Sequence, residues 1–185
     1  MLFHLDGHHI QQERFRAQLD ASKPLKKQLW QQTVKAKIDN QAAVLKENEK
    51  HYEALCTFSR NVQSGDSTNR EAVAAKYYWQ RIFNIPNFIR ERYGIPPNPL
   101  LNYGYTILRA ATARALSGVG LLPTMGIHHH NRYNDFCLAD DIMEPYRPYV
   151  DQLVLHLIEE YGLNEELSSE EKQELLQLLV MDVRC

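Results

Sequence analysis

The strongest constraint on this chain is the period of its apolar residues, which is helical nearly from end to end. After Ser22-Lys23-Pro24, an N-cap residue and a first-turn proline, come Leu25, Leu29, Trp30, Val34, Ile38, Ala42 and Leu45. They recur at the 3.6-residue spacing of one helix face, with Lys26, Lys27, Lys35 and Lys37 around its margins. Tyr52, Leu55, Cys56 and Val62 predict a second helix stopped at Ser64-Gly65-Asp66, and Thr68-Asn69-Arg70-Glu71 opens a third through Ala75, Tyr78, Trp79 and Ile82. A long helix follows Pro96-Pro97-Asn98-Pro99 and runs to about Ser117. Val150, Leu153, Val154, Leu157, Ile158 and Tyr161 form another stripe closed by Gly162, and Ser168-Ser169-Glu170-Glu171 opens a last short helix. No stretch alternates in the manner of a strand and no Asn-Gly pair marks a hairpin. The expectation is an all-α fold, a single helical domain over 1–185, which suits a chain of 185 residues.

Composition narrows the function classes. With 44% hydrophobic and 24% charged residues the chain is neither a disordered tail nor a fibrous repeat, and no apolar run approaches the ~20 residues of a membrane span. No secretory signal is visible at Met1-Leu2-Phe3, and the three cysteines (Cys56, Cys137, Cys185) are odd in number and widely spaced. Reduced thiols in a cytoplasmic protein are expected. The net charge of −2 conceals a segregation: residues 1–134 carry 18 Lys and Arg against 10 Asp and Glu, whereas residues 135–185 carry 3 against 13. A basic body followed by an acidic segment is compatible with a nucleic-acid partner, although blocks of charge on solvated helix faces would look the same.

The residues from Gly118 to Phe136, rich in Gly, Pro, His and Asn, form the one long connection that packing does not demand. It carries Gly126-Ile127-His128-His129-His130, and Asp140-Asp141-Ile142-Met143-Glu144-Pro145-Tyr146-Arg147 lies just beyond. On a helix Asp141 and Glu144 share a face, so a loop imidazole and two carboxylates make a possible hard-metal set. Carboxylates and water suit Mg²⁺ or Mn²⁺, and the imidazole shifts the preference toward Mn²⁺. Plainer readings compete. Adjacent histidines bind metals promiscuously, and Asp140, Asp141 and Glu144 could merely oppose a helix dipole. Arg147 could be a helical ion-pair partner. Thr68-x-x-Glu71 has capping-box spacing, which alone would account for Glu71. Tyr77-Tyr78-Trp79 and the Tyr103/Tyr105 pair could stack bases, but aromatics at helical spacing more often belong to a core.

As an ordered set, several stretches resemble the C-terminal helical domain of the CRISPR-associated (Cas) integrase that inserts new spacers into CRISPR arrays. They are Leu25-Lys26-Lys27-Gln28-Leu29-Trp30, Lys37-Ile38-Asp39-Asn40-Gln41-Ala42, Arg70-Glu71-Ala72 with Tyr78-Trp79, Leu101-Asn102-Tyr103-Gly104-Tyr105, Gly120-Leu121-Leu122-Pro123, and the run from Gly126 to Pro148. The resemblance spans about residues 8–160, leaving 161–185 as an acidic helical tail. It is nearest the branch that accompanies the large single-protein RNA-guided nuclease.

The resemblance implies roles. The family's metal-binding Glu falls on Glu71, its metal-binding His on His129, and its last acidic ligands on Glu144, the preferred direct ligand, and Asp141. His130 is the alternative to His129 if the loop is shifted, and His128 takes the usual apolar place. Glu71, His129 and Glu144 would then be catalytic through a bound Mg²⁺ or Mn²⁺, converging on one ion. The implied reaction is attack of a spacer-DNA 3′-hydroxyl on a phosphodiester at the CRISPR repeat, with Lys and Arg of residues 1–134 on the DNA backbone. Arg132 and Arg147 are candidate phosphate contacts. Implied partners are the spacer precursor, the repeat, a small second Cas adaptation protein and, in the full-length form, a second copy. Family members also carry an N-terminal β-rich domain, which this chain lacks by resemblance, so weak DNA binding and little two-ended integration are expected of it. The alternative is a non-catalytic helical module that binds DNA or a full-length integrase.

Overall fold

The computed structural model describes residues 10–180, and every regular element among them is helical. The α-helices are α1 (Gln11–Leu19), α2 (Lys23–Glu47), α3 (Glu53–Arg60), α4 (Arg70–Trp79), α5 (Asn98–Gly118), α6 (Cys137–Met143), α7 (Arg147–Tyr161) and α8 (Ser169–Leu175). Short 3₁₀ turns lie at Ser64–Asp66, Glu144–Tyr146 and Leu176–Leu179. The all-α expectation holds, and no helix among the described residues is long and apolar enough to cross a membrane. Met1 and Cys185 lie outside the described residues.

The long helix α2 is the axis of the molecule, packing against α3, α4, α7 and the turn Glu144–Tyr146. Ser22 caps it by accepting from the Leu25 N–H at 3.4 Å, and Pro24 sits where no intrahelical donor is needed. Its stripe is buried from Trp30 onward, through Val34, Ile38, Ala42 and Leu45. The start of the stripe departs from expectation: Leu25 and Leu29 are exposed at 45% and 36%, the 3₁₀ turn Ser64–Asp66 meeting that end of the helix at Lys27 instead. The core continues through Leu55, Tyr78, Leu101, Met143, Val150 and Leu157. Gly104 lets α5 approach α7 closely, since a methyl group there would collide with the Val150 side chain.

Helix α1, which the apolar period does not single out, buries no side chain and instead fastens the long loop, Gln18 bonding the backbone N–H and C=O of Leu122 at 2.9 Å each. One local reading needs correction, the capping box at Glu71. Asn69 is the N-cap, in the left-handed region at φ 52°, and the Asp66 carboxylate accepts from the Arg70 and Glu71 N–H groups at 2.8 and 3.0 Å. With Asp66 closing the first turn, the Glu71 side chain is released for other work. At α8 the expected capping box is present, Ser168 and Glu171 each accepting from the other's backbone.

Behind the α2 face, Tyr78 and Tyr105 donate to the two oxygens of Asp151 at 3.0 and 2.5 Å in the buried core, so both tyrosines are structural. Burial pushes the Asp151 carboxyl up to about 7, although the hydroxyls of Tyr105 and Tyr78 and the charges of Arg147 and Arg90 pull it back. An acid raised from 3.8 to about 7 in the folded state stabilises the fold fully only below the unfolded value. That contribution is lost as pH rises through the folded value. Between pH 5 and 8 the wild-type chain is therefore expected to lose about 2–3 kcal/mol that Asp151→Asn does not lose. Urea midpoints at the two pH values measure this, and parallel curves for the two proteins would refute it.

Candidate metal centre

Four elements meet along the middle of α2: α2 itself, the first turn of α4, the loop of residues 119–136, and the segment from α6 into α7. Each brings a side chain for a local reason. Glu71 sits in the first turn of α4, freed by the Asp66 cap. Asp141 and Glu144 stand three residues apart where α6 passes into the 3₁₀ turn, and both are buried, at 0% and 6% exposure. Lys37 projects from α2 between Glu71 and Glu144, one position from the buried Ile38. Asn40, a turn further along α2, donates to the Pro145 carbonyl at 2.7 Å and fixes the turn against the helix.

The ammonium of Lys37 lies 2.6 Å from Glu71 Oε1 and 2.5 Å from Glu144 Oε2. Burial works against its charge most strongly, but the carboxylates of Glu144 and Glu71 outweigh that penalty and raise its pKa above the ordinary lysine value. Glu144 shows the mirror image: burial would raise it, and the charges of Lys37 and Arg147 prevail and hold it below the usual carboxylate value. Arg147 Nε donates to Glu144 Oε1 at 2.8 Å, and its guanidinium lies 4.5 Å from the centre of the Tyr105 ring. The ion-pair reading of Arg147 is thus realised, on the very carboxylate that matters. Asp140 accepts from Asn134 Nδ2 at 2.7 Å and lines the same cleft as Arg147 without bonding to Lys37, Glu71 or Glu144 in the hydrogen bonds described.

Asp141 organises the histidine loop. Its Oδ2 accepts from the N–H groups of Ile127 and His128 at 2.6 and 2.8 Å, and its Oδ1 from that of His129 at 3.3 Å. The same Oδ1 lies 2.5 Å from His129 Nδ1. That contact assigns the proton to Nδ1 and leaves the Nε2 lone pair free. Both Asp141 oxygens are thereby engaged within the protein. The hydrogen bond to Asp141 raises the His129 pKa; burial opposes it, and the charges of Asp141, Glu144 and Glu71 add to the rise, so both glutamates act on this ring. His128 lies flat on Trp30 with ring centres 4.2 Å apart, and His129 meets Trp30 edge-on at 5.7 Å. Gly126 permits the tight turn, since a β-carbon there would collide with the His129 carbonyl. His130 and Arg132 are exposed, His130 lining a pocket with Trp30 and His128 and Arg132 lying over the Tyr133 ring.

The structure therefore brings Glu71 and Glu144 onto one cation, sets His129 within their field, and places Asp141 behind His129. Among the described residues, no three His, Cys, Asp or Glu side chains form a ready-made cage for an ion; the ammonium stands between the two glutamates. The donor set nonetheless fits a hard divalent cation, with two carboxylates from separate elements converging on one positive charge beside an imidazole whose Nδ1 is engaged by Asp141.

Sequence reasoning missed two parts. Lys37 was placed at the helix margin; its spacing from Val34 and Gln41, both buried, was the available signal. The second part is an arginine-lined cleft of about 890 Å³ that opens on Glu144, Lys37 and Arg147. Its wall is the irregular segment carrying Arg90, Arg92 and the 90% exposed Tyr93. Asn98, at the start of α5 and fully buried, pins that segment by accepting from Arg90 Nη1 and the Glu91 N–H and donating to the carbonyls of Ile89 and Ile95. Nothing periodic announces such a segment.

Comparison with known proteins agrees with this architecture. The family model described as CRISPR associated protein Cas1 matches residues 4–179. A CRISPR-associated endonuclease Cas1 from Neisseria meningitidis serogroup C (strain 8013) is 45% identical over 174 residues, covering 93% of this chain and 57% of the relative. The chain thus spans little more than half the length of that relative. Two solved structures share the fold. A casposase bound to its integration product aligns with a TM-score of 0.74 at 23% identity, covering 94% of this chain and 57% of the other. A chain of a partial Cas6-RT-Cas1–Cas2 complex aligns with a TM-score of 0.78 at 22% identity, covering 94% and 64%.

Proposed function

The chain belongs to the CRISPR-associated protein Cas1 family, and from that membership and the geometry of the site we propose that it is the helical catalytic part of a metal-dependent DNA endonuclease and integrase of CRISPR adaptation. The observation that carries this reading is the shared cation: Glu71 and Glu144, from separate helices, converge on one positive charge beside a histidine whose Nε2 is free.

In this reading Glu71, Glu144 and His129 hold Mg²⁺ or Mn²⁺. The bound ion would supply polarisation of the scissile phosphodiester and neutralise charge on its oxygens. Asp141 acts one step back, holding the His129 tautomer and the loop backbone, a role that its two engaged oxygens favour over direct ligation. Arg147 keeps Glu144 ionised and oriented. The arginine cleft gives the DNA strand a positively charged path to the site, with Tyr93 exposed for a base to stack on. In joining, the 3′-hydroxyl oxygen of the spacer strand bonds to the repeat phosphorus, and the bond from phosphorus to the departing 3′-oxygen breaks. A casposase bound to its integration product and a partial Cas6-RT-Cas1–Cas2 complex share this fold, which supports DNA and a second Cas protein as partners; a second copy in the full-length protein belongs to the same proposal. A purely non-catalytic module is not favoured, since such a module has no use for two carboxylates converging on one charge beside an oriented imidazole.

The test is Mn²⁺-dependent cleavage of branched DNA by this chain and by a version extended to the length of its relatives. Glu71→Ala and His129→Ala are expected to lower cleavage at least ~100-fold, and Asp140→Ala to remain within ~10-fold of the parent. Near-normal cleavage by all three variants would remove the assignment.

A further inference from the structure

The ammonium of Lys37 stands where a metal ion shared by Glu71 and Glu144 would have to stand. It lies 2.6 Å from one carboxylate and 2.5 Å from the other, and a divalent ion needs oxygens at about 2.1–2.3 Å, so the two cannot occupy the point together. We propose that Lys37 is a resident counter-cation, holding Glu71 and Glu144 at ligand spacing until a divalent ion displaces its ammonium. The inference rests on the reading that these two glutamates are metal ligands.

Three observations favour displacement over a permanent structural bridge. Glu144 uses its two oxygens unequally: Oε1 is tied to Arg147 by a regular hydrogen bond, whereas Oε2 faces the ammonium at 2.5 Å without the geometry of a directed hydrogen bond. Removing the ammonium therefore breaks one directed bond, that to Glu71 Oε1, and none at Oε2, and Arg147 still orients the Glu144 carboxylate. Secondly, two ionised carboxylates brought this close repel one another without a cation, so a metal-free site needs a resident charge to stay assembled. Thirdly, Lys37 has somewhere to go. It lines the cleft with Arg90, Arg109 and Arg147, and its side chain is 13% exposed on that side. A four-carbon stem can carry the charge from the carboxylates into the cleft, toward an anionic strand. Lys37 is thus a positioning residue whose charge competes with the metal.

The sign of one measurement separates this role from a structural one. Damage to the fold weakens metal binding, whereas removal of a competing cation strengthens it. Mn²⁺ is titrated into the purified chain and its Lys37→Met and Lys37→Gln variants, with free Mn²⁺ read by electron paramagnetic resonance and thermal unfolding followed with and without the ion. Both variants are expected to bind Mn²⁺ about tenfold more tightly than the parent and to gain more in melting temperature from it. If Lys37→Met fails to fold, Lys37→Gln, which keeps an uncharged hydrogen-bond donor on a slightly shorter stem, carries the test. Equal or weaker binding by the folded variants, with the parent binding normally, overturns the lysine role and leaves the metal reading standing. Binding by the variants but not by the parent supports it. No binding by any of the three overturns both.

Discussion

Glu144→Ala is expected to lower stability by about 3–5 kcal/mol and to remove Mn²⁺-dependent cleavage below ~1% of the parent. The carboxylate is only 6% exposed and lies between Lys37 and Arg147, so its removal leaves two poorly solvated cations facing each other. Lys37 retains Glu71 and Arg147 retains the Tyr105 ring, which keeps the loss below what a fully orphaned pair would cost. Glu144→Gln separates the two effects. The amide keeps the volume and an acceptor for Arg147, so the fold should lose only ~1–3 kcal/mol, while the ligand charge is gone and cleavage stays abolished. Urea unfolding and a cleavage assay on the two variants together check this, and a Gln variant as active as the parent would show that Glu144 is structural only.

The second large effect is expected at Asp141. Asp141→Ala takes away the acceptor for the N–H groups of Ile127, His128 and His129 and the partner of His129 Nδ1 in a single change. Buried donors left unsatisfied cost ~1–3 kcal/mol each, but water can reach a loop in which residues 128 to 130 are exposed, so ~3 kcal/mol in total is expected. The functional effect is larger than that figure suggests. With the ring free to rotate and the proton free to move to Nε2, cleavage should fall by ~10–100-fold. Amide hydrogen exchange gives the direct readout: protection at residues 127–129 should vanish while α2, α5 and α7 stay protected. A loop that remains protected in the variant would show that Asp141 is not its organiser.

The parts of the fold legible in the sequence are those whose causes are local. The apolar period located α2, α5 and α7, because a stripe that repeats every 3.6 residues can be buried on one side only in a helix. The Ser168–Glu171 capping box and the glycine ending α7 were equally readable, since both depend on neighbours within four residues. The same spacing at Thr68-x-x-Glu71 misled, because an aspartate two residues upstream of Thr68 reaches the same N–H groups and displaces the pattern. Residue type also carried chemical meaning. A glycine-led histidine loop followed by closely spaced acids drew attention to the loop histidines with Asp141 and Glu144, while the choice of His129 and the addition of Glu71 came from the family resemblance.

Which of these residues meet, and in what role, depended on contacts between distant parts of the chain. Lys37 and Glu71 are 34 positions apart and meet only because α2 and α4 pack together. Asp141 and Glu144 look interchangeable on a helix face; the loop that folds over one and the cations that approach the other divide them into an organiser and a charge-paired carboxylate. The cleft wall at Arg90 and Arg92 exists because Asn98 and Asn102, one turn apart on α5, supply hydrogen-bond partners to a segment with no regular structure of its own. By itself, then, the sequence determined the helices, their caps and the chemical types available, since propensity and period act over a few residues. The tertiary structure alone decided the pairing of charges and the one-step separation of Asp141 from the centre, because burial and electrostatic partnership arise only when segments far apart in the chain exclude water from each other.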